Sequence, residues 1–590
     1  MYTQQGIKGI PGLLTKDTFF GFFKTEGKAK LVSGGRYRPL TPILFALELQ
    51  LFGKKPMVGH IMNLFWYCLL CIFLFKVLYL ILDQIPEIRY LKALAFAACI
   101  LFASHPVHTE VVANIKGRDE IVALFGSVFS LYLVLKQPQK RFSLRSFLIA
   151  FVFFLACMSK ENAITFLGII PLTLVLFWRK SIKESIILTL PAFSGFIGFI
   201  ICRTLVLGLD FGGAPIELMN NPFIKYMDGT YVPFTGEEKI STIAVTLLKY
   251  LQLLIFPIQL THDYYPRHID IYTLKELKPI LGIVINLSLI LMGMVILKKE
   301  KILGFGILFY YITGSVVSNI FFPVGTNMSE RFLFMPSVGF SLVAAYLLYK
   351  ILPQKKGLYP SIILIICLLF SWKTIHRNKV WVNDYTLFTT DVHNSPNSAK
   401  VLNAAGGASI AEATKMEDGD QKQSLLNNAI TYLKRAVGIH PKYKNAYLLL
   451  GNAYYYTGQL DLAITSYEKA LNIDPDYKEA AKNLGVTLRD AGRKAGEIDK
   501  DIAKSINYLD KSIFFNPTDG ETYRLLGVAN GIAGNHQKAI ENFKKVVDLN
   551  PNNAAALLNL SRAYTHIKDL DNANKYRSQA LSLDPNILKK

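Results

Sequence analysis

The first 375 residues alternate long apolar runs with short polar links, a rhythm that predicts helices approaching the roughly 20 residues needed to cross a bilayer core. Ten such segments can be drawn, at about 58–82, 90–104, 118–135, 146–158, 163–178, 186–207, 279–297, 302–322, 333–352 and 359–375. Several are short, and one short pair fits a re-entrant hairpin. Basic clusters fall in alternate links: Arg89 and Lys92; Lys136, Lys140, Arg141 and Arg145; Arg179, Lys180 and Lys183; Lys298, Lys299 and Lys301; Lys350, Lys355 and Lys356. Short loops rich in Lys and Arg stay cytoplasmic, and a single threading puts all five on that side. It requires the stretch 241–260 to dip into the membrane and return. The other links and the C-terminal third then share the extracytoplasmic face.

After Ile375 the pattern changes to amphipathic repeats punctuated by Pro441, Pro475, Pro517, Pro551 and Pro585, spaced 34, 42, 34 and 34 apart. The cleanest unit carries Tyr447, Leu450, Gly451, Tyr454, Gly458, Ala463, Tyr467, Ala470 and Pro475. This is the tetratricopeptide pattern, with small residues where two helices cross, aromatics filling the gap and proline stopping the second helix. The 42-residue spacing reflects a polar insertion, RKAGEIDKD, between two helices of one unit. About five units are present, counting a degenerate one ending at Pro441, enough to stack a continuous core.

Composition agrees with a membrane body. Hydrophobic residues make up 51% of 590, charged residues only 18%, and the formal net charge is +22. Residues 1–395 carry 39 basic against 22 acidic side chains, and residues 396–590 carry 26 against 21. The excess therefore belongs to the apolar half, as expected for membrane loops and not for a nucleic-acid groove. All six cysteines lie in apolar runs, so no disulfide framework is implied, and Cys68-Leu-Leu-Cys71 reads as two small buried hydrophobes.

Polar residues gathered on one face of a membrane domain mark a functional site by default. Arg36 and Arg38, in GGRYRPLTP, suit bidentate contact with a phosphate or neutralisation of lipid head groups. SHPVHTEVVANIKGRDE holds His105, His108, Glu110, Lys116, Arg118, Asp119 and Glu120. His-x-x-His with an acid permits a metal, although Pro106 breaks the helix and no further ligand set is evident. A carboxylate acting as acid or base beside a phosphate-binding cation is the favoured alternative, and helix caps or interfacial pairs are a third. Lys160-Glu161 and Glu330-Arg331 are adjacent acid–base pairs at the outer mouths of spans, and adjacent residues on a helix point to different partners. His262-Asp263-Tyr264-Tyr265 ends the re-entrant stretch and is a further candidate, for an acceptor groove.

LLTKDTFFGFF, GGRYRPLTP, HPVHTEVVANIKGRDE, MSKENAIT and SERFLFMPSVGF, followed by the repeats, resemble the transmembrane and tetratricopeptide repeat-containing protein O-mannosyltransferases and their bacterial homologues. The resemblance implies a glycosyltransferase-C architecture with its active site on the lumenal or periplasmic side. It implies a polyprenyl-phosphate sugar, typically mannose, as donor and a Ser or Thr hydroxyl of a protein as acceptor. A carboxylate would withdraw the hydroxyl proton, the sugar would transfer with inversion, and cations would stabilise the leaving lipid phosphate. Carried over by matched motif, Glu110 and Glu161 are the catalytic acids, and Arg36, Arg38, Arg118, Lys160 and Arg331 the phosphate ligands. His105, His108, Asp119 and Glu330 complete the polar site. No metal site is assigned, and the need for a divalent ion is left open.

The expected fold is thus all-α, a polytopic glycosyltransferase-C-like domain followed by a tetratricopeptide solenoid. Its parts are an extracytoplasmic region at 1–57, the multi-span domain at 58–375, a linker at 376–395 and the repeats at 396–590. The expected function is transfer of a sugar to exported proteins at a bacterial inner membrane. The periplasmic repeats would bind the acceptor polypeptide, and no nucleic acid is involved. The alternative is a non-catalytic envelope scaffold. Family members also carry an acidic pair in the first extracytoplasmic loop, just after a first helix. Met1 is followed by no signal, so the sequence reads as truncated, beginning downstream of that pair, which puts the activity of the 590-residue product in question.

Overall fold

The computed structural model describes residues 2–18, 20, 35–136, 143–209, 217–352 and 357–589. Of the basic clusters, Lys140, Arg141, Lys355 and Lys356 lie outside the described residues, as does Gly34 of GGRYRPLTP. The chain divides into two compact units, 1–401 and 402–590.

Each of the ten apolar segments is mainly helical, the one at 302–322 leaving helix after Val317. Four helices are long and apolar enough to cross a membrane: Pro56–Leu82, Ile182–Leu207, Leu277–Ile296 and Leu358–Val380. Leu91–Ser104 joins Pro106–Ala113 across a 49° bend to make a fifth. The bend falls at Pro106, which has no N–H for the helical ladder and disfavours helical geometry at His105 before it. The remainder are shorter apolar helices and Arg118–Lys136, whose first turn carries Asp119 and Glu120. Residues 1–57 contain a further apolar helix, Leu40–Phe52, and the stretch 241–260 lies mostly within the helix Gly236–Ile255.

Packing follows from small residues on facing helices, which let backbones approach where lipid supplies no hydrophobic drive. A side chain at Gly339 would begin 2.3 Å from the Gly306 carbonyl oxygen, so Lys301–Gly314 and Pro336–Ile351 meet there backbone to backbone. The outward faces stay apolar: Ile182, Ile186, Leu190, Phe193, Ile197, Ile201 and Leu205 form an exposed stripe along one helix. Seven exposed large apolar side chains at three- and four-residue spacing are stable against hydrocarbon, not water. The unit is an integral membrane body.

In the second unit four helix pairs stack in order: Lys444–Tyr456 with Leu460–Ile473, Lys478–Glu497 with Ile502–Phe515, Gly520–Ile532 with His536–Leu549, and Ala554–His566 with Leu570–Leu583. The first part of the polar insertion, to Glu497, is helical. It lengthens one first helix to 20 residues where the other three have 13. At Gly527 an added Cβ would sit 2.7 Å from the buried Phe543 ring. Gly527→Leu is therefore expected to cost about 1–3 kcal/mol by overpacking, exceeding the roughly 1 kcal/mol gained in helix propensity. A lowered unfolding midpoint of the full chain in detergent, followed by circular dichroism, checks this.

Candidate functional site

Where the apolar helices of the first unit end, their polar termini converge. The segment 35–39 enters Leu40–Phe52, the break after Ser104 carries residues 105–117, and Lys160 and Glu161 follow the helix Leu144–Ser159. With residues 263 and 316–332 they enclose a cavity of about 360 Å³. Arg36, Arg38, Glu110, Lys116, Asp119, Lys160, Glu161, Asp263, Arg331 and Lys400 line it. Six cations and four carboxylates thus face one small space.

Some of these charges hold one another. Arg38 grips Glu161 through two bonds, Nε to Oε2 at 2.6 Å and Nη2 to Oε1 at 2.8 Å, and reaches Asp119 at 3.4 Å. Burial alone would raise the Glu161 carboxyl, but the Arg38 guanidinium outweighs it and holds the group down to about 2. A carboxylate so acidic is a fixed anion and a weak proton acceptor. Burial works against the Arg38 charge too, and the Glu161 carboxylate more than compensates, so its pKa is raised. Lys160 is buried, donates to Glu120 and lies 5.5 Å over the Phe332 ring. Arg331 donates to Glu110 at 3.2 Å, yet its side chain stays 40% exposed where it lines the cavity. Ser329 stands at 3.5 Å from the second oxygen of Glu110.

Other cations are left without a carboxylate. Arg36, Lys116 and Lys400 form no ion pair among the described residues, and Lys400 sits 5.0 Å over the Tyr265 ring. Burial, then repulsion from Arg38, lowers the Arg36 guanidinium to about 10. Burial, then Arg36 and Arg331, lowers the Lys116 ammonium. Like charges held together at this cost are chemically suited to an anion.

Four residues singled out in the sequence sit elsewhere. Arg118 is fully buried and turned away from the cavity: it donates to Asn63 and to the Gly59 carbonyl, both at 2.8 Å, pairs with Glu48 and lies 4.5 Å from the Phe45 ring centre. It fastens Leu40–Phe52 to Pro56–Leu82. His105 contacts the Leu254 carbonyl at 2.9 Å and accepts from the Val107 N–H. His108 bonds to Tyr67 at 3.1 Å and Ser337 at 2.8 Å. All four imidazole nitrogens thus have protein partners, and no group of three metal-ligating side chains occurs among the described residues. Glu330 accepts from the Thr261 N–H at 2.6 Å and the Tyr264 hydroxyl at 2.8 Å, and burial raises its carboxyl to about 8.

Sequence reasoning passed over Lys400, which lies beyond the composition change with no motif to mark it. It also passed over the buried pair Arg377–Asp391, joined at 2.5 and 2.8 Å. Arg377 lies in the basic last turns of the helix Leu358–Val380, beside Lys373, His376 and Lys379, so nothing in the sequence set it apart.

A second, apolar cavity of about 630 Å³ lies among Gly236–Ile255, Leu277–Ile296 and Lys301–Gly314. It shares Val317 and Phe332 with the wall of the charged cavity.

Fold and site together define a polytopic membrane protein with a charged pocket at its helix ends and a tetratricopeptide array. Its homologues are protein O-mannosyl-transferases of the TMTC type, at 25–28% identity over most of the chain. Human protein O-mannosyl-transferase TMTC3 is 25% identical over 89% of this chain and 62% of its own length. Human TMTC1 is 28% identical over 75% of this chain and 51% of its own. The chain thus spans about half to three-fifths of the length of these relatives. Family models described as TPR repeat and tetratricopeptide repeat match residues 451–492 and 532–586. Among solved structures, YrrB, a TPR protein with an unusual peptide-binding site, is similar at 18% identity and TM-score 0.26, covering 34% of this chain and 94% of that one.

Proposed function

We propose that the chain is a membrane glycosyltransferase that moves a sugar, mannose by the names of its relatives, from a polyprenyl-phosphate carrier to Ser or Thr hydroxyls of a polypeptide. The observation that carries this reading is the set of cations without carboxylate partners beside an apolar cavity. Arg36 and Lys116, with the Glu110-paired but part-exposed Arg331 beside them, would take the phosphate, and the apolar cavity the isoprenoid chain that follows it. The acceptor oxygen attacks the anomeric carbon, the bond from that carbon to the phosphate oxygen breaks, and the electron pair leaves with the phosphate. Charge grows on the phosphate during this step, so cations fixed around it lower the barrier. Glu110 holds Arg331 in place, and Glu161, with Asp119, fixes Arg38.

Residues 58–375 are then the transferase body and 1–57 an extracytoplasmic contribution to it. The repeats of 396–590 present acceptor polypeptide along a stacked-helix surface. The membrane is a bacterial inner membrane with the site and repeats on its periplasmic face. A plain anchor leaves the unpaired cations without a purpose.

The test uses the full chain in liposomes with radiolabelled mannosyl-phosphoryl polyprenol and a Ser/Thr-rich peptide. Label in the peptide is expected, and its absence overturns the reading.

A further inference from the structure

One short loop serves both cavities. Ile320 and Phe321 line the apolar one, and Phe322, Pro323 and Val324 line the charged one. The change of side falls between Phe321 and Phe322, two residues whose Cα atoms lie about 3.8 Å apart across a trans peptide. Both rings stand in the open, Phe321 at 73% exposure and Phe322 at 47%.

The loop that lifts them is held at its neck. The buried Asn319 side chain donates from Nδ2 to the Thr326 carbonyl at 2.9 Å and the Asn327 carbonyl at 3.2 Å, while its Oδ1 accepts from the Val324 N–H at 2.9 Å. Asn319 (φ 61) and Gly325 (φ 80) turn the chain through left-handed conformations at the two ends. A fixed loop that holds two large aromatic rings uncovered forgoes their burial, and such a patch marks a surface that something apolar covers. Bilayer hydrocarbon accounts for Phe321. It does not account for Phe322, whose cavity is lined by ten charged side chains.

We infer that Phe321 and Phe322 grip the first isoprene unit of the carrier, the five carbons next to its phosphate; the inference rests on the placement of the carrier proposed above. A lipid with its phosphate among the cations and its tail in the apolar cavity crosses where the two spaces meet, beside Val317 and Phe332, which belong to both. Only the carbons nearest the phosphate lie at that junction. The loop is then a specificity element. It favours a phosphate ester whose first carbons are apolar, and it disfavours one built on glycerol, whose oxygens would lose water against two phenyl rings without gaining a partner. Glycerol phosphates are the head groups of ordinary phospholipids, so the aromatic pair separates the carrier from the bulk of the membrane around it.

Displacement of radiolabelled polyprenyl phosphate from the full chain in detergent tests this. The competitors are dimethylallyl phosphate, which is a single isoprene unit, and glycerol 3-phosphate, which carries the same charge. The unaltered chain is expected to bind dimethylallyl phosphate about 10-fold more tightly than glycerol phosphate. Phe321→Ser combined with Phe322→Ser is expected to bring the two within about twofold of each other, with glycerol phosphate binding unchanged within about twofold. A preference below about threefold in the unaltered chain, or one that survives in the double variant, overturns the inference. Loss of both competitors from the double variant also overturns it, by making the loop a prop of the charged cavity. No binding of polyprenyl phosphate removes the inference together with the carrier's placement. Because the readout is binding, a chain that shows the expected preference but moves no sugar in liposomes overturns the transferase reading and leaves the isoprene site standing.

Discussion

Replacing Arg331 with alanine is expected to reduce sugar transfer by about 100-fold or more while leaving membrane insertion intact, the scale seen when a fixed donor to developing charge is removed. Arg331 is the cavity cation best placed for this work. One bond to Glu110 orients it, the Phe332 ring lies 5.7 Å from its guanidinium, and a large part of the side chain remains open. Alanine also leaves the buried Glu110 carboxylate without its cation, so the double change Arg331→Ala with Glu110→Gln separates the two effects. Recovery of protein yield without recovery of transfer in the double variant identifies the guanidinium as the active element. Lysine at 331 should restore only part of the rate, because a point charge cannot hold Glu110 and a phosphate in one planar fork. Transfer by Arg331→Ala within threefold of the unaltered chain would remove Arg331 from the site.

The largest effect on stability is expected at Arg118. Arg118→Met leaves Glu48, Asn63 and the Gly59 carbonyl without their donor in the membrane domain, at a cost of about 3–5 kcal/mol. Glu48→Met in the same chain removes the stranded charge and should recover most of the loss. The fraction of monodisperse protein surviving a heating series in detergent reports both. Transfer per folded molecule should stay near that of the unaltered chain, because Arg118 does not reach the cavity. A selective loss of transfer with normal stability would instead return Arg118 to the phosphate ligands that its motif suggests.

Arg118 also shows how far the sequence could be read. The apolar runs revealed the helices because length and hydropathy are properties of a segment alone. The repeats were equally open, since Gly451 and Tyr467 recur as Gly527 and Phe543 in a fixed frame. Destinations of individual charges were not. Arg118, Asp119 and Glu120 begin one helix about 100° apart, and the structure sends them to Glu48, Arg38 and Lys160. Lys160 and Glu161 diverge likewise, to Glu120 and Arg38. A motif names the cluster, but the rotation of each helix against partners far along the chain decides which member faces the cavity. Lys400 carried no signal at all.

The wall that Val317 and Phe332 share between the two cavities has a kinetic consequence. In the proposed function, a carrier whose tail occupies the apolar side would arrive sideways by two-dimensional diffusion within its leaflet, not from bulk solution. The turnover rate should then track the mole fraction of carrier among the lipids, falling when inert phospholipid dilutes the bilayer at constant total carrier, and staying flat when only buffer is added.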